Sequence, residues 1–119
     1  MIKSRAHTVW FGDAEREFRL TPPLIIELEI KCNVGIGGLC KRLFAGDFRF
    51  QELTEIIRLA LIGGGETPLR ASQLVDAYVN SRPLGETFPL AVAILECLFF
   101  GAAKEQSDLS TDQPKDEQT

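Results

Sequence analysis

The chain has 119 residues, 45% hydrophobic and 25% charged, which gives apolar material for one core and too little length for a second domain. Its formal charge of −4 is concentrated near the C-terminus, where Lys104 to Thr119 carries two Lys against five Asp and Glu and leaves the preceding body at −1. A body that is nearly neutral lacks the clustered Lys and Arg that neutralise phosphates, so no nucleic-acid partner is expected.

The short basic groups, Lys41-Arg42 and Arg16 with Arg19, read as solvated faces. Cys32, Cys40 and Cys97 are an odd number, widely spaced, with His7 as the only histidine, which is no zinc pattern. They lie among apolar residues and read as small buried side chains in a reducing compartment. Met1 to Arg5 lacks the apolar run of a signal peptide, so a cytoplasmic chain is expected.

In chain order, His7-Thr8-Val9-Trp10-Phe11 is β-branched and aromatic, Gly12-Asp13 offers a turn, and Arg16 to Leu20 alternates charged with apolar. That pattern predicts a β-hairpin over about residues 7–20. Two strands are marginal alone, so Val9, Phe11, Phe18 and Leu20 need helices to pack against. Thr21-Pro22-Pro23 is a helix start. The next segment has two readings: Ile26, Leu28 and Ile30 alternate as in a strand, and Leu24, Ile25, Leu28 and Cys32 form a helical stripe. The cap and the stop at Asn33 to Gly35 favour helix. Gly37-Gly38 then breaks the chain before a short helix, Leu39 to Phe44, that Gly46-Asp47 ends.

Leu53, Ile56, Ile57, Ala60 and Leu61 fall at i, i+3, i+4, i+7 and i+8, so Phe50 to Ile62 is predicted helical, with Gln51, Glu52, Glu55 and Arg58 on the opposite side. Gly63-Gly64-Gly65 ends it through left-handed geometry. Ala71, Leu74, Val75, Tyr78 and Val79 repeat the spacing after the Thr67-Pro68 start, and Arg82-Pro83 breaks it. Leu90 to Phe100 is apolar on nearly every side, with Pro89 in its first turn and Glu86 and Thr87 as caps. Such a helix is either central in the bundle or covered by a partner. At roughly half the ~20 residues of a membrane span, and interrupted by Glu96, it is not a spanning segment. Beyond Gly101 the composition turns polar, with Leu109 the single large apolar residue, and predicts a disordered acidic tail over 102–119.

The expected architecture is therefore α+β, mostly α. An N-terminal hairpin packs on a small bundle of about four to five helices (body about 22–101) in one domain over 1–101. No catalytic constellation can be assembled. Gly35-Ile36-Gly37-Gly38 before Lys41 matches neither phosphate-loop pattern. His7 has no acid at a motif spacing, and the Glu27/Glu29 and Glu52/Glu55 pairs read as solvated helix faces. No catalytic, cofactor-binding or metal-ligating residue is assigned, no cofactor is implied, and an enzyme is not expected. Aromatic residues cluster at Phe44, Phe48 and Phe50 and again at Leu98-Phe99-Phe100, and these six are the candidate partner-binding residues.

Several segments in their order resemble one family. They are the hairpin leading into Phe18-Arg19-Leu20-Thr21, Leu28-Glu29, Ile56 to Gly65, Leu74-Val75-Asp76, and Arg82-Pro83-Leu84 running to Leu90-Ala91 and Ile94-Leu95. The chain is similar here to the small gene transfer agent and phage tail proteins encoded between the major tail protein and the tape measure protein. The resemblance covers about residues 7–101. Ile30-Lys31-Cys32-Asn33 departs from the acidic or alanine-rich stretch usual in that family, and the acidic tail looks like an addition. The family is described both as a tail tube protein and as a tail assembly chaperone. A tube subunit is built mainly of strands, and helical periodicity with a single hairpin favours the chaperone. The resemblance then implies binding to the tape measure protein and the major tail (tube) protein in the host cytoplasm, with self-association left open. The alternative is a tube or connector subunit retained in the particle.

Overall fold

Alternation of apolar and polar side chains sets the first two elements of the computed structural model, which describes residues 6–101. Strands β1 (His7–Phe11) and β2 (Ala14–Phe18) pair antiparallel, with His7 opposite Phe18 and Phe11 opposite Ala14. Gly12 has φ +71° and Asp13 has no positive φ, the signature of a type II′ turn that follows the strand twist. Phe11, Phe18 and Leu20 are buried and Val9 is half-buried, so the hairpin does lean on helices. Phe11 meets Phe18 edge-to-face at 5.4 Å and Tyr78 at 5.7 Å, contacts worth about 0.5–1.5 kcal/mol each beyond area burial.

Five α-helices follow: α1 (Pro22–Cys32), α2 (Ile36–Phe44), α3 (Phe50–Gly63), α4 (Pro68–Val75) and α5 (Leu84–Phe100), with a π-helical turn over Asp76–Asn80 continuing α4. The fold is α+β and mostly α, as the sequence predicts. The acidic tail expected over 102–119 lies outside the described residues. Among the described residues no helix is long and apolar enough to cross a membrane.

The ambiguous segment is helical. Pro22 and Pro23 occupy the first turn of α1, although the Thr21 side chain makes no capping bond. Asn33, at φ 55°, closes the helix in the left-handed region and donates its N–H to the Glu29 carbonyl. Gly37-Gly38 does not break the chain as expected. Both lie inside α2, because the Glu29 carboxylate accepts the Ile36 N–H at 2.8 Å and so satisfies a free amide at the start of the helix.

The central helix is α3, which touches α1, α4, α5 and β2. Leu53, Ile56, Ile57, Leu59, Ala60 and Leu61 are all buried. Each buried Leu or Ile contributes about 1.5–3 kcal/mol. Glu52 was expected on a solvated face, yet it is 1% exposed. Its carboxylate accepts the Arg49 N–H at 2.9 Å and pairs with the Arg42 guanidinium, so it caps α3 and ties it to α2. Arg42 and Arg16 are likewise not free surface charges. Arg16 is held by Glu66 at 2.6 Å and Asp13 at 2.9 Å, which joins the hairpin to the loop after α3.

The triple glycine does more than end a helix. A Cβ on Gly63 would run into the Arg19 carbonyl, and one on Gly64 into the Glu17 carbonyl. The Arg19 N–H also donates to the Ala60 carbonyl at 2.9 Å. Only Gly65, at φ +119°, supplies the backbone freedom that a helix stop requires. Gly63 and Gly64 therefore let the hairpin exit lie directly on the end of α3.

Two further boundaries differ from expectation. The run from Ala71 to Val79 is one helix followed by a π turn, and Thr67 caps its start by accepting the Arg70 N–H at 3.1 Å. The last helix begins at Leu84, six residues before the expected Leu90, so Pro89 is internal and Glu86 and Thr87 are not caps. The early turn survives the missing Pro89 N–H because its side chains are anchored. Phe88 stacks on Phe48 at 4.7 Å, and Thr87 is buried.

Candidate partner-binding surface

A helix that is apolar on every side belongs at the centre of a bundle, and α5 is not there. It buries Thr87, Ala91, Ile94, Leu95 and Cys97 against the body, and Phe99 and Phe100 at its C-terminal end are exposed. Phe99 is 61% exposed and Phe100 53% exposed. Phe100 stacks on Phe44 of α2 at 6.2 Å and touches Phe99 at 4.9 Å, so three aromatic rings form one surface across two helices.

Beside the rings runs a groove of about 290 Å³ between three helices. Its walls are Ile25 of α1, Ile36 and Cys40 of α2, and Leu98 and Phe99 of α5. Gly37 lies on the groove with no neighbouring atom where a Cβ would stand, so the space over the backbone is open. Ile26 and Ile30, one turn apart on α1, are exposed as well. Arranged this way, the side chains can cover apolar residues of another molecule.

The six candidate residues separate in space. Phe44, Phe99 and Phe100 come together, and Leu98 lines the adjoining groove. Phe48 is half-buried, stacked on Phe88 and packed on the core. Phe50 is exposed but sits at a different, polar cleft with Gln51, Thr54, Arg58, Asp76 and Asn80. The sequence reading missed Ile26 and Ile30, although their place off the Leu24, Ile25, Leu28 and Cys32 stripe was the available signal. It also missed the exposure of Trp10, which alternation in β1 places opposite Val9 and Phe11.

Reactive chemistry is muted. All three cysteines are buried, and none forms a disulfide. Burial, with help from Glu52 and Glu55, pushes the Cys32 thiol up to about 11, and burial raises that of Cys40. His7 lies 3.8 Å from the Cys97 sulfur. Burial lowers the His7 imidazole below its usual range, against an opposing pull from Glu96. Among the described residues no group of His, Cys, Asp and Glu is placed to hold a metal ion.

No curated protein and no solved structure matches the chain. The profile of the family described as "Phage tail tube protein, GTA-gp10" matches residues 4–101, which takes in all of the described residues. The chain therefore belongs to this family of phage and gene transfer agent tail proteins.

Proposed function

We propose that this tail protein acts as an assembly chaperone that binds the tape measure protein and assists assembly of the tail tube. The observation that carries the proposal is the open end of α5. Phe99, Phe100 and Phe44 are exposed there beside a groove between three helices. A tape measure protein is long and helical, and the groove suits the apolar stripe of such a helix, with anchors one helical turn apart. Covering that stripe would keep the partner soluble before the tube subunits arrive. Binding would take place in the bacterial cytoplasm during particle assembly.

Co-expression with the tape measure protein, followed by co-purification, tests the proposal. Capture of the tape measure by this chain is expected, with its loss when Phe99 and Phe100 are replaced by serine. A folded double variant that still captures the partner would remove this surface from the mechanism.

The family's description as a tail tube protein favours a second reading, a subunit retained in the tail. Against it stands the shape of the chain, with a single two-stranded hairpin and five α-helices among the described residues, where a tube wall needs extended sheets. Quantifying the chain in purified particles separates the two. A retained subunit is present in ring-like stoichiometry, and a chaperone is absent.

A further inference from the structure

Among the described residues, the hairpin has one covered edge and one edge with no strand partner. On the β2 side, the Glu17 carbonyl faces Gly64 and the Arg19 N–H reaches the Ala60 carbonyl, so the end of α3 closes that edge. On the β1 side no further strand pairs among the described residues. A two-residue turn makes Phe11 and Ala14 a hydrogen-bonded pair, and the pairs then alternate along the ladder. Thr8 and Trp10 are consequently the residues whose N–H and C=O groups point away from β2. No other backbone group bonds them among the described residues.

That edge opens on a cleft of about 620 Å³, within the about 300–1,000 Å³ typical of ligand clefts. Val9 and Phe11 from one face of β1 and Trp10 from the other all line it, so its wall is the edge of the strand itself. The same cleft is lined by Leu90 and Ala93 of α5, by Tyr78, and by Glu86, which is paired with Arg82 at 3.0 Å. Trp10 is 68% exposed on the rim, its indole N–H held by the Gly12 carbonyl at 2.9 Å.

Exposed edges are usually blunted by charged side chains, prolines or bulges. β1 has no Asp, Glu, Lys, Arg or Pro, whereas the covered strand β2 carries Glu15, Arg16 and Glu17. We infer that β1 is a docking edge for an extended, uncharged segment of another protein, which adds as a third strand and places alternate apolar side chains in the cleft against α5. The cleft argues against a second copy of this chain as the occupant. In a symmetric β1 pair, the inward side chains Val9 and Phe11 of each copy are already packed on their own body and would leave the space unfilled. This site is separate from the aromatic surface at the end of α5 and does not depend on the chaperone reading.

The probe is a short synthetic peptide alternating valine and threonine, with lysine at both ends for solubility, added to the whole chain. Amide hydrogen exchange followed by NMR is expected to show Thr8 and Trp10 exchanging fast alone and protected with peptide, together with a blue shift of Trp10 fluorescence. Thr8→Pro removes one outward N–H, leaves the β1–β2 ladder and the cleft-lining side chains in place, and is expected to weaken binding about tenfold. Three results would overturn the inference. The first is a peptide that leaves both amides unprotected, which is readable on the wild-type chain whether or not the proline variant folds. The second is equal binding by a folded Thr8→Pro chain. The third is protection that rises with protein concentration alone, which would make the occupant a second copy.

Discussion

At Gly63 and Gly64 the deciding quantity is the space for one carbon atom. Ala at either position drives a Cβ into the carbonyl of Arg19 or Glu17, and the hairpin must lift off α3. Gly63→Ala and Gly64→Ala are each expected to cost about 1–3 kcal/mol, read from urea denaturation. Gly37→Ala meets no atom and adds helix propensity, so it is expected to stabilise the chain by about 0.5–1 kcal/mol. His7 sets a pH dependence of definite sign. Its imidazole is held below the usual 6.5 by burial, so just below that pH the unfolded chain binds more protons than the folded one. Stability is therefore expected to fall as pH drops through the region below 6.5, and His7→Gln should flatten that part of a melting-temperature profile. For Glu52, burial opposes the charged form, but hydrogen bonds from Arg42 and the Arg49 amide hold the carboxyl below its usual range. Its contribution is present at neutral pH and lost in acid. Glu52→Ala should lower the urea midpoint, whereas Glu86→Ala, which breaks an exposed pair with Arg82, should leave it unchanged.

Among the elements, helical periodicity made α3 and α4 legible, because each buries a stripe whose spacing is written in the residues, whereas α1 also read as a strand and only its start and stop signals favoured helix. The early start of α5 was not legible, since Leu84 to Phe88 carries a glycine and precedes a proline, and the contact that rescues it, Phe88 on Phe48, is distant in sequence. Nor was the burial of Glu52, because the solvent-facing spacing of a charged residue does not reveal that Arg42 waits across the helix pair. The aromatic residues were recognisable as a group. Only the packing of α2 against α5 decides that Phe44 joins Phe99 and Phe100 while Phe48 turns inward and Phe50 points elsewhere. Phe44, Phe99 and Phe100 contact mainly one another, so each serine replacement is expected to cost about 0.5–1.5 kcal/mol through the ring contact it removes. Their loss should be felt more in binding than in folding.

On the scale of the whole molecule, the hairpin and α3 form the fixed body, and α5 runs from a cleft beside β1 to an open aromatic end. The two open surfaces differ in the backbone they suit: an extended strand at β1, and a helix at the groove between α1, α2 and α5. On the chaperone proposal and the docking-edge inference, such a protein would hold two kinds of segment at once, which suits a role in bringing tail components together. The most direct measurement is co-purification of the co-expressed tape measure protein with the wild-type chain and with a Phe44→Ser, Phe99→Ser, Phe100→Ser variant shown to be folded by its urea midpoint. The proposed chaperone captures the tape measure protein and the triple variant does not. Equal capture by the folded variant, or none by the wild type, would contradict it.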